Sequence, residues 1–355
     1  MRIGISANAL KHSGGLERYA MDLVRGLATA GFEGKRRPAF FARKIDKSLP
    51  ESRLVDARRI KVSFLPGKLR DAYFSWALKR ARKRAKVDVL IGCNRVEGSE
   101  IAICGGTHIG FLRATGRREK RSDMRQIALE RRQYAQAKVV VAHSDMMSDE
   151  LRALYGVDIR KIRVLYPPVD GARFSPVDAA TRARLRERFG FKPDETVLLF
   201  PSSSHERKGL PLIEKALAGT NVVIAVAGRA PEKKPAANVR YVGYAKNIED
   251  AYRAADFTIL ASSYEPFGLV GIESVMCGTP VVFPACIGCC GAIADHAKHV
   301  FKSGDADDLR RTVLDAIETR HEAARVPDGA VRYDTSVDSH VRALIDIARD
   351  IDAKR

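Results

Sequence analysis

Ser263-Tyr264-Glu265-Pro266-Phe267-Gly268-Leu269-Val270-Gly271-Ile272-Glu273 follows a run at 256–260 that reads as a strand. Pro266 and Gly268 make a tight loop, and the apolar spacing of residues 269–277 predicts a helix. Strand, glycine turn and helix in this order set the unpaired amides of a helix N-terminus at the carboxyl edge of a strand, where a phosphate or a polar sugar is attracted. Two carboxylates flank the spot. Glu265 sits in the loop, and Glu273 lies one to two helical turns later, so both can face one ligand if the helix turns Glu273 that way. A solvated helix acid and an ordinary loop acid would look the same, so the rest of the chain has to decide.

Upstream, a strand at 197–200 precedes Ser202-Ser203-Ser204-His205-Glu206-Arg207-Lys208-Gly209, and a helix is predicted over 209–217. Cations at a helix start are mildly disfavoured by the helix dipole, which makes a bound anion the better explanation of Arg207 and Lys208. Two fixed cations stabilise charge that builds on a departing phosphate. The alternation continues with strands at 222–227, 239–242, 257–260 and 281–283 and helices at 248–255 and 269–277.

In the first half Ile3, Ile5 and Ala7 alternate as a strand and residues 8–13 form a loop. Gly14-Gly15-Leu16-Glu17-Arg18 then opens a helix with Leu16, Ala20, Leu23, Val24 and Leu27 at helical spacing. Glycines at such a turn let backbone approach a ligand phosphate closely. The pair has neither the Gly-Lys-Ser/Thr of a Walker motif nor the GxGxxG dinucleotide spacing. Further strands are predicted at 39–42, 60–64, 87–91, 101–104, 138–142 and 162–165. Gly105-Gly106-Thr107-His108 follows one of them, which puts His108 in a loop at the carboxyl edge. Tyr166-Pro167-Pro168-Val169-Asp170 stiffens a crossing between two α/β halves. The reading is an α/β fold of two facing Rossmann-like domains with a cleft between them: 1–168, which is basic; 169–333; and 334–355, an amphipathic terminal helix.

The 355 residues are 45% apolar and carry a net charge of +19. Residues 32–86 hold 18 Lys or Arg against 5 Asp or Glu, and residues 107–138 hold 9 against 3, so these two windows account for the whole excess. Positive surface on one half suits an anionic partner such as nucleic acid, lipid headgroups or a phosphorylated glycan. The predicted helix 69–86 sets Tyr73, Phe74, Trp76 and Leu78 beside basic residues and could lie on a membrane surface. A docked helix with a solvated basic face is the preferred explanation. Aromatic residues, at 7%, are sparse for a nucleic-acid binder. No run approaches the ~18 apolar residues of a membrane span, and the start lacks a signal-peptide layout, so the expected location is cytoplasmic, with peripheral attachment at the inner membrane.

The six cysteines are expected as free thiols. Cys286-Ile-Gly-Cys289-Cys290 lacks a second pair at zinc spacing. Asp305-Ala306-Asp307 reads as the capped start of a helix and Asp350-Ile351-Asp352 as part of the last one. Neither a metal nor a cofactor is expected.

Taken together, Gly14-Gly15-Leu16-Glu17-Arg18, Arg207-Lys208-Gly209 and the Glu-x7-Glu of Glu265 and Glu273 resemble the retaining nucleotide-sugar glycosyltransferases of the GT-B fold, family 4. Pro167-Pro168-Val169-Asp170 with Phe174 is similar to that family's interdomain segment. The Arg-Lys-Gly order and basic first half look most like bacterial lipopolysaccharide core α-glucosyltransferases. By position, the resemblance implies Gly14 and Gly15 against the donor sugar and phosphates, and Arg207 and Lys208 on the diphosphate. It implies Glu265 on the sugar hydroxyls near the reacting face, the amides of Gly268, Leu269 and Val270 on the phosphate or sugar end, and Glu273 on the ribose. His108 matches a histidine near the sugar 6-hydroxyl, base contacts are expected from the 243–248 loop, and the terminal helix would cross back onto the first domain. Many relatives carry Gly-Arg five residues before the lysine; this chain has Ser203 there, so Arg207 would supply the cation.

The implied reaction is hexose transfer from a nucleotide-sugar donor, UDP-glucose first among the candidates, to a glycan or glycolipid acceptor such as lipopolysaccharide core. A GT-B epimerase needing no acceptor and a non-catalytic binder of anions or nucleic acid are the rival readings.

Overall fold

Short aliphatic and aromatic runs, buried on both faces, build two separate parallel sheets, the pattern of strands covered by helices above and below. A computed structural model describes residues 1–12, 14–32, 34, 37–230, 235–244, 247–319 and 329–354. The chain divides into two units, Met1–Pro168 together with Asp334–Arg355, and Val169–Tyr333.

The first unit runs β1 (Ile3–Ser6), β2 (Ala9–Leu10), α1 (Gly15–Thr29), β3 (Ala39–Ala42), β4 (Lys44–Ile45), β5 (Asp56–Arg59), α2 (Gly67–Arg84), β6 (Val89–Gly92), β7 (Ile101–Cys104), α3 (His108–Thr115), α4 (Arg121–Gln136), β8 (Val139–Ala142), α5 (Asp145–Tyr155) and β9 (Ile162–Val164). Its seven-stranded sheet has the order β5-β3-β1-β6-β7-β8-β9, and β2 pairs with β4 beyond the ends of β1 and β3. The expected strand at 60–64 is displaced to β5. Ala39 pairs with Asp56 and Ala42 with Arg59, while Ile60 and Val62 leave the ladder to pack with Phe74 and Leu78 of α2. As an edge strand β5 tolerates charge, and Asp56 pairs with Arg2 at 2.9 Å and Arg58 at 2.8 Å.

The second unit runs α6 (Ala179–Arg188), β10 (Val197–Ser202), α7 (Leu210–Ala216), β11 (Val223–Gly228), β12 (Val239–Gly243), α8 (Ile248–Ala254), β13 (Phe257–Ile259), α9 (Leu269–Met276), β14 (Val281–Pro284), β15 (Lys298–Phe301) and α10 (Ala306–Glu318). Its sheet has the order β12-β11-β10-β13-β14-β15, all parallel. β15, a half-exposed edge strand holding Lys298 and His299, carries no apolar run and is absent from the sequence reading.

α11 (Val337–Ala353) returns to the first unit. Val341, Leu344, Ile345 and Ala348 enter the core formed by Leu23, Val24 and Leu27 of α1 and the strands beneath. The helices meet at Gly26, where a Cβ would lie 2.6 Å from Val341 Cγ2 and 2.9 Å from Val337 Cγ1. The lack of a side chain on α1 sets how closely α11 can approach.

Each sheet reverses its winding once, between β1 and β6 in the first unit and between β10 and β13 in the second. Carboxyl ends at such a switch diverge and leave a crevice for a ligand. No helix among the described residues is long and apolar enough to cross a membrane.

Candidate active site

Arg207 and Lys208 lie in the segment leaving β10, and Glu265 in the segment leaving β13, so the motif residues of the second unit converge on its switch point. Gly209 makes the first segment fold back. Its φ of +84° suits glycine, and a Cβ there would collide with the Ala261 carbonyl. This close packing lets Ala261 N donate to Lys208 O at 3.0 Å, while Lys208 Nζ donates to Pro201 O at 3.2 Å. Burial pushes the Lys208 ammonium below its ordinary value, with Glu265 opposing the shift.

Arg207 is exposed, and its Nη1 stands 3.6 Å from Glu265 Oε2, within ion-pair range but too long for a hydrogen bond. That Glu265 oxygen is buried and accepts no hydrogen bond. A buried carboxylate oxygen left this way costs stability that a ligand hydroxyl would restore. Gly268 begins α9 in the left-handed region, φ +84°, and no side chain caps the helix. Leu269 and Val270 form its half-buried first turn. Glu273 lies deeper, 5% exposed, and accepts from Tyr252 Oη at 3.0 Å. The solvated-acid alternative for Glu273 is thereby set aside.

The cysteine cluster is the platform under this loop. Gly288 N donates to Glu265 O at 3.0 Å and Cys289 N to Phe267 O at 2.6 Å, so the chain around Cys289 fixes the backbone of the loop from below. Cys289 is fully buried against α9: a Cβ on Gly271 would come 2.5 Å from its sulfur. Among the described residues no group of three or more His, Cys, Asp or Glu is placed to hold a metal ion. Asp305 caps α10, accepting from the amides of Asp307 and Asp308, and Asp350 and Asp352 belong to α11.

In the first unit Gly14 and Gly15 are exposed at the start of α1, which follows β1 at that sheet's switch point. No side chain caps α1, and the Cβ direction of Gly15 meets open space. His108 is not in a loop: Thr107 accepts from Gly110 N at 3.0 Å and starts α3 one residue later, so His108 is its first residue. The His108 ring, mostly buried, holds Asp123 Oδ1 through Nε2 at 2.8 Å, and its backbone N donates to Glu130 Oε2 at 3.0 Å. Asp123 is held below the usual carboxylate range by the His108 bond first and the Lys120 amide second. Nε2 therefore carries a proton. Of the 243–248 loop, residues 245 and 246 lie outside the described residues.

Tyr252, Asp123 and the residues after β6, Asn94 and Arg95, were missed by motif reading. Tyr252 bonds Glu273, Asp123 bonds His108, Asn94 accepts from Ser6 Oγ at 2.8 Å and Arg95 pairs with Glu130, each reaching a residue of another element that the local sequence does not name.

The profile of Glycosyltransferase Family 4 matches residues 13–173, and that of Glycosyl transferases group 1 matches residues 181–330. A "probable transglycosylase" of Burkholderia thailandensis is 64% identical over 100% of this chain and 99% of its own. A D-inositol 3-phosphate glycosyltransferase of Catenulispora acidiphila is 30% identical, over 55% of this chain and 51% of its own, about half of either protein. Among solved structures, WaaG, a glycosyltransferase involved in lipopolysaccharide biosynthesis, superposes with a TM-score of 0.76 at 18% identity, covering 99% of this chain and 98% of that one. Anabaena HepE in complex with UDP-glucose gives 0.74 at 17%, covering 98% and 100%. With two sheets each carrying its motif at the switch point, and a relative alike from end to end, the chain belongs to the family 4 glycosyltransferases and is a glycosyltransferase of the GT-B fold.

Proposed function

We propose that the protein moves a hexose from a nucleoside diphosphate sugar, UDP-glucose foremost, to a hydroxyl of a cell-envelope glycan such as lipopolysaccharide core, with retention at the anomeric carbon. The observation that carries the donor side is the buried Glu265 oxygen lacking a hydrogen bond beside Arg207 and Lys208. An acceptor of sugar hydroxyls and two cations for a diphosphate stand on adjoining strand ends. The likeness to HepE, crystallised with UDP-glucose, and to WaaG, involved in lipopolysaccharide biosynthesis, supports the choice of donor and acceptor.

In the proposed step the bond from the anomeric carbon to the diphosphate oxygen breaks through an oxocarbenium-like state. The acceptor oxygen bonds to that carbon on the same face, and its proton passes to the leaving diphosphate. Arg207 and Lys208 offset the charge that develops there. Lys208, partly desolvated, gains most from a diphosphate, because burial disfavours its charge until an anion arrives. Gly14 and Gly15 would lie against the donor, Glu273 would hold the ribose, His108 would reach the sugar, and the amides of Gly268, Leu269 and Val270 would cap the phosphate or sugar end.

The basic first unit suggests an anionic bilayer as the working surface. Phe64 is 64% exposed, Trp76 49% and Leu69 47%, and the Arg80 guanidinium stacks 3.9 Å over the Trp76 ring.

A thermal-shift panel of UDP-glucose, UDP-galactose, GDP-mannose and UDP tests the donor assignment, since a ligand that binds only the folded protein raises its melting temperature. The expected result is a rise with UDP-glucose and UDP. No rise with any nucleotide would end the reading, and incubation with donor alone that yields its epimer would replace transfer with epimerisation.

A further inference from the structure

The first unit has a cavity of its own, about 400 Å³, within the roughly 300–1,000 Å³ of small-ligand sites. It opens where β1, β3 and β6 end, at that sheet's switch point. Lys11, Arg43, Lys44 and Arg95 line it. The short β2–β4 ladder, pairing Ala9 with Lys44 and Leu10 with Ile45, holds the first three on one lip.

The charges are not internally balanced. Arg43 pairs with Asp71, which also accepts from Gln126 Nε2 at 2.8 Å, and Arg95 pairs with the buried Glu130 at 2.5 Å. Lys11 and Lys44 have no anionic partner among the described residues, and the remaining acid on the wall is Glu17.

Two buried atoms on this wall make no hydrogen bond: Arg43 Nε, a donor, and Gln126 Oε1, an acceptor. A bare anion would satisfy Arg43 and the lysines but leave Gln126 without a donor. A neutral sugar would give Gln126 a hydroxyl but leave the lysines unpaired. A hydroxyl-bearing anion serves both, because its acid group meets the cations while its hydroxyls donate.

We propose that this cavity binds an acidic sugar residue of the glycosyl acceptor, one carrying a carboxylate or a phosphate. The proposal rests on the transfer reaction above, which needs a second substrate, and it names that substrate's chemical class.

Calorimetric titration of the full-length protein with glucuronate, glucose 6-phosphate, glucose and inorganic phosphate tests it, with UDP titrated into the wild type as a separate arm. At least one acidic sugar is expected to bind tenfold or more tightly than both glucose and inorganic phosphate, and which one it is distinguishes carboxylate from phosphate. The Lys11→Gln/Lys44→Gln variant, checked for an unchanged melting temperature, should weaken that binding at least tenfold. Gln126→Met should narrow the gap between glucose 6-phosphate and inorganic phosphate, an effect that lost charge would not produce. Equal binding of glucose, equal binding of inorganic phosphate, no binding of either acidic sugar, or wild-type affinity in the double lysine variant would each overturn the proposal. If UDP binds the wild type and the sugar results fail, this inference falls alone; if UDP does not bind, the donor reading falls and the acceptor role with it.

Discussion

Lys208 holds its place through three main-chain contacts, its own carbonyl bound by the Ala261 amide, its amide on the Ser204 carbonyl and its ammonium on the Pro201 carbonyl. Removing the amine should leave the two backbone contacts and the fold intact while taking a cation from the leaving group. Lys208→Ala is therefore expected to lower kcat roughly 10²–10³-fold with little change in melting temperature; steady-state kinetics beside a thermal melt check it, and undiminished kcat would remove the leaving-group role. Gly268→Ala should fail differently. With φ at +84° and Ile287 Cγ2 only 2.9 Å from the new Cβ, the loop must shift, at about 1–3 kcal/mol by chemical denaturation. Arg207, Lys208 and Glu265 were legible because each sits in a short strand-turn-helix string. The Tyr252 bond to Glu273, 21 residues apart, and the His108 bond to Asp123, 15 apart, were not, since nothing local in the chain encodes which elements become neighbours.

Elements were legible in proportion to their burial. Fully buried strands such as β3 and β7 were read at their true bounds, whereas the charged edge strands β5 and β15 were displaced or missed, because pairing at a sheet edge asks little of side chains. α3 was hidden by Gly105-Gly106, which suggest a loop until Thr107 is seen as a cap. The seat of α11 makes a further prediction. His340 Nδ1 lies 3.0 Å from the Tyr166 carbonyl, which only accepts, so Nδ1 carries the proton and Nε2 accepts from Tyr19 at 2.8 Å. Burial holds His340 down to about 4, and burial with the nearby His340 holds His143 down to about 3. In the unfolded chain both protonate near 6.5. Between pH 6.5 and 4 the unfolded state thus binds more protons, and stability should fall as pH drops, by roughly 1.4 kcal/mol per pH unit per histidine. Melts across that range should show the slope, and His340→Asn should reduce it by about half; an unchanged slope would mean that His340 is not buried neutral.

On the scale of the whole molecule, charge is segregated. The two basic windows of the sequence fall in the first unit, as do the exposed Phe64, Leu69 and Trp76. Cosedimentation with vesicles containing phosphatidylglycerol should exceed that with phosphatidylcholine alone and weaken with salt, and Phe64→Ser/Trp76→Ser should reduce it severalfold. Binding that ignores both lipid charge and these side chains would discard the membrane surface. The two-unit organisation was foreshadowed by the restart of α/β alternation after Pro167-Pro168. The return of α11 to the first unit was expected from the family resemblance, but its seat at Gly26 was not, because the sequence marks an apolar face without naming the residue it meets.

That pairing bears on how the protein is made. The first unit's core includes Val341, Leu344, Ile345 and Ala348, which are synthesised after residues 169–333, so residues 1–168 have to wait for α11. Residues 169–333 have their own sheet and can mature earlier, the reverse of the usual vectorial order. Stalled nascent chains ending near residue 333 should resist protease in the later segment and be cut in the earlier one until α11 is added.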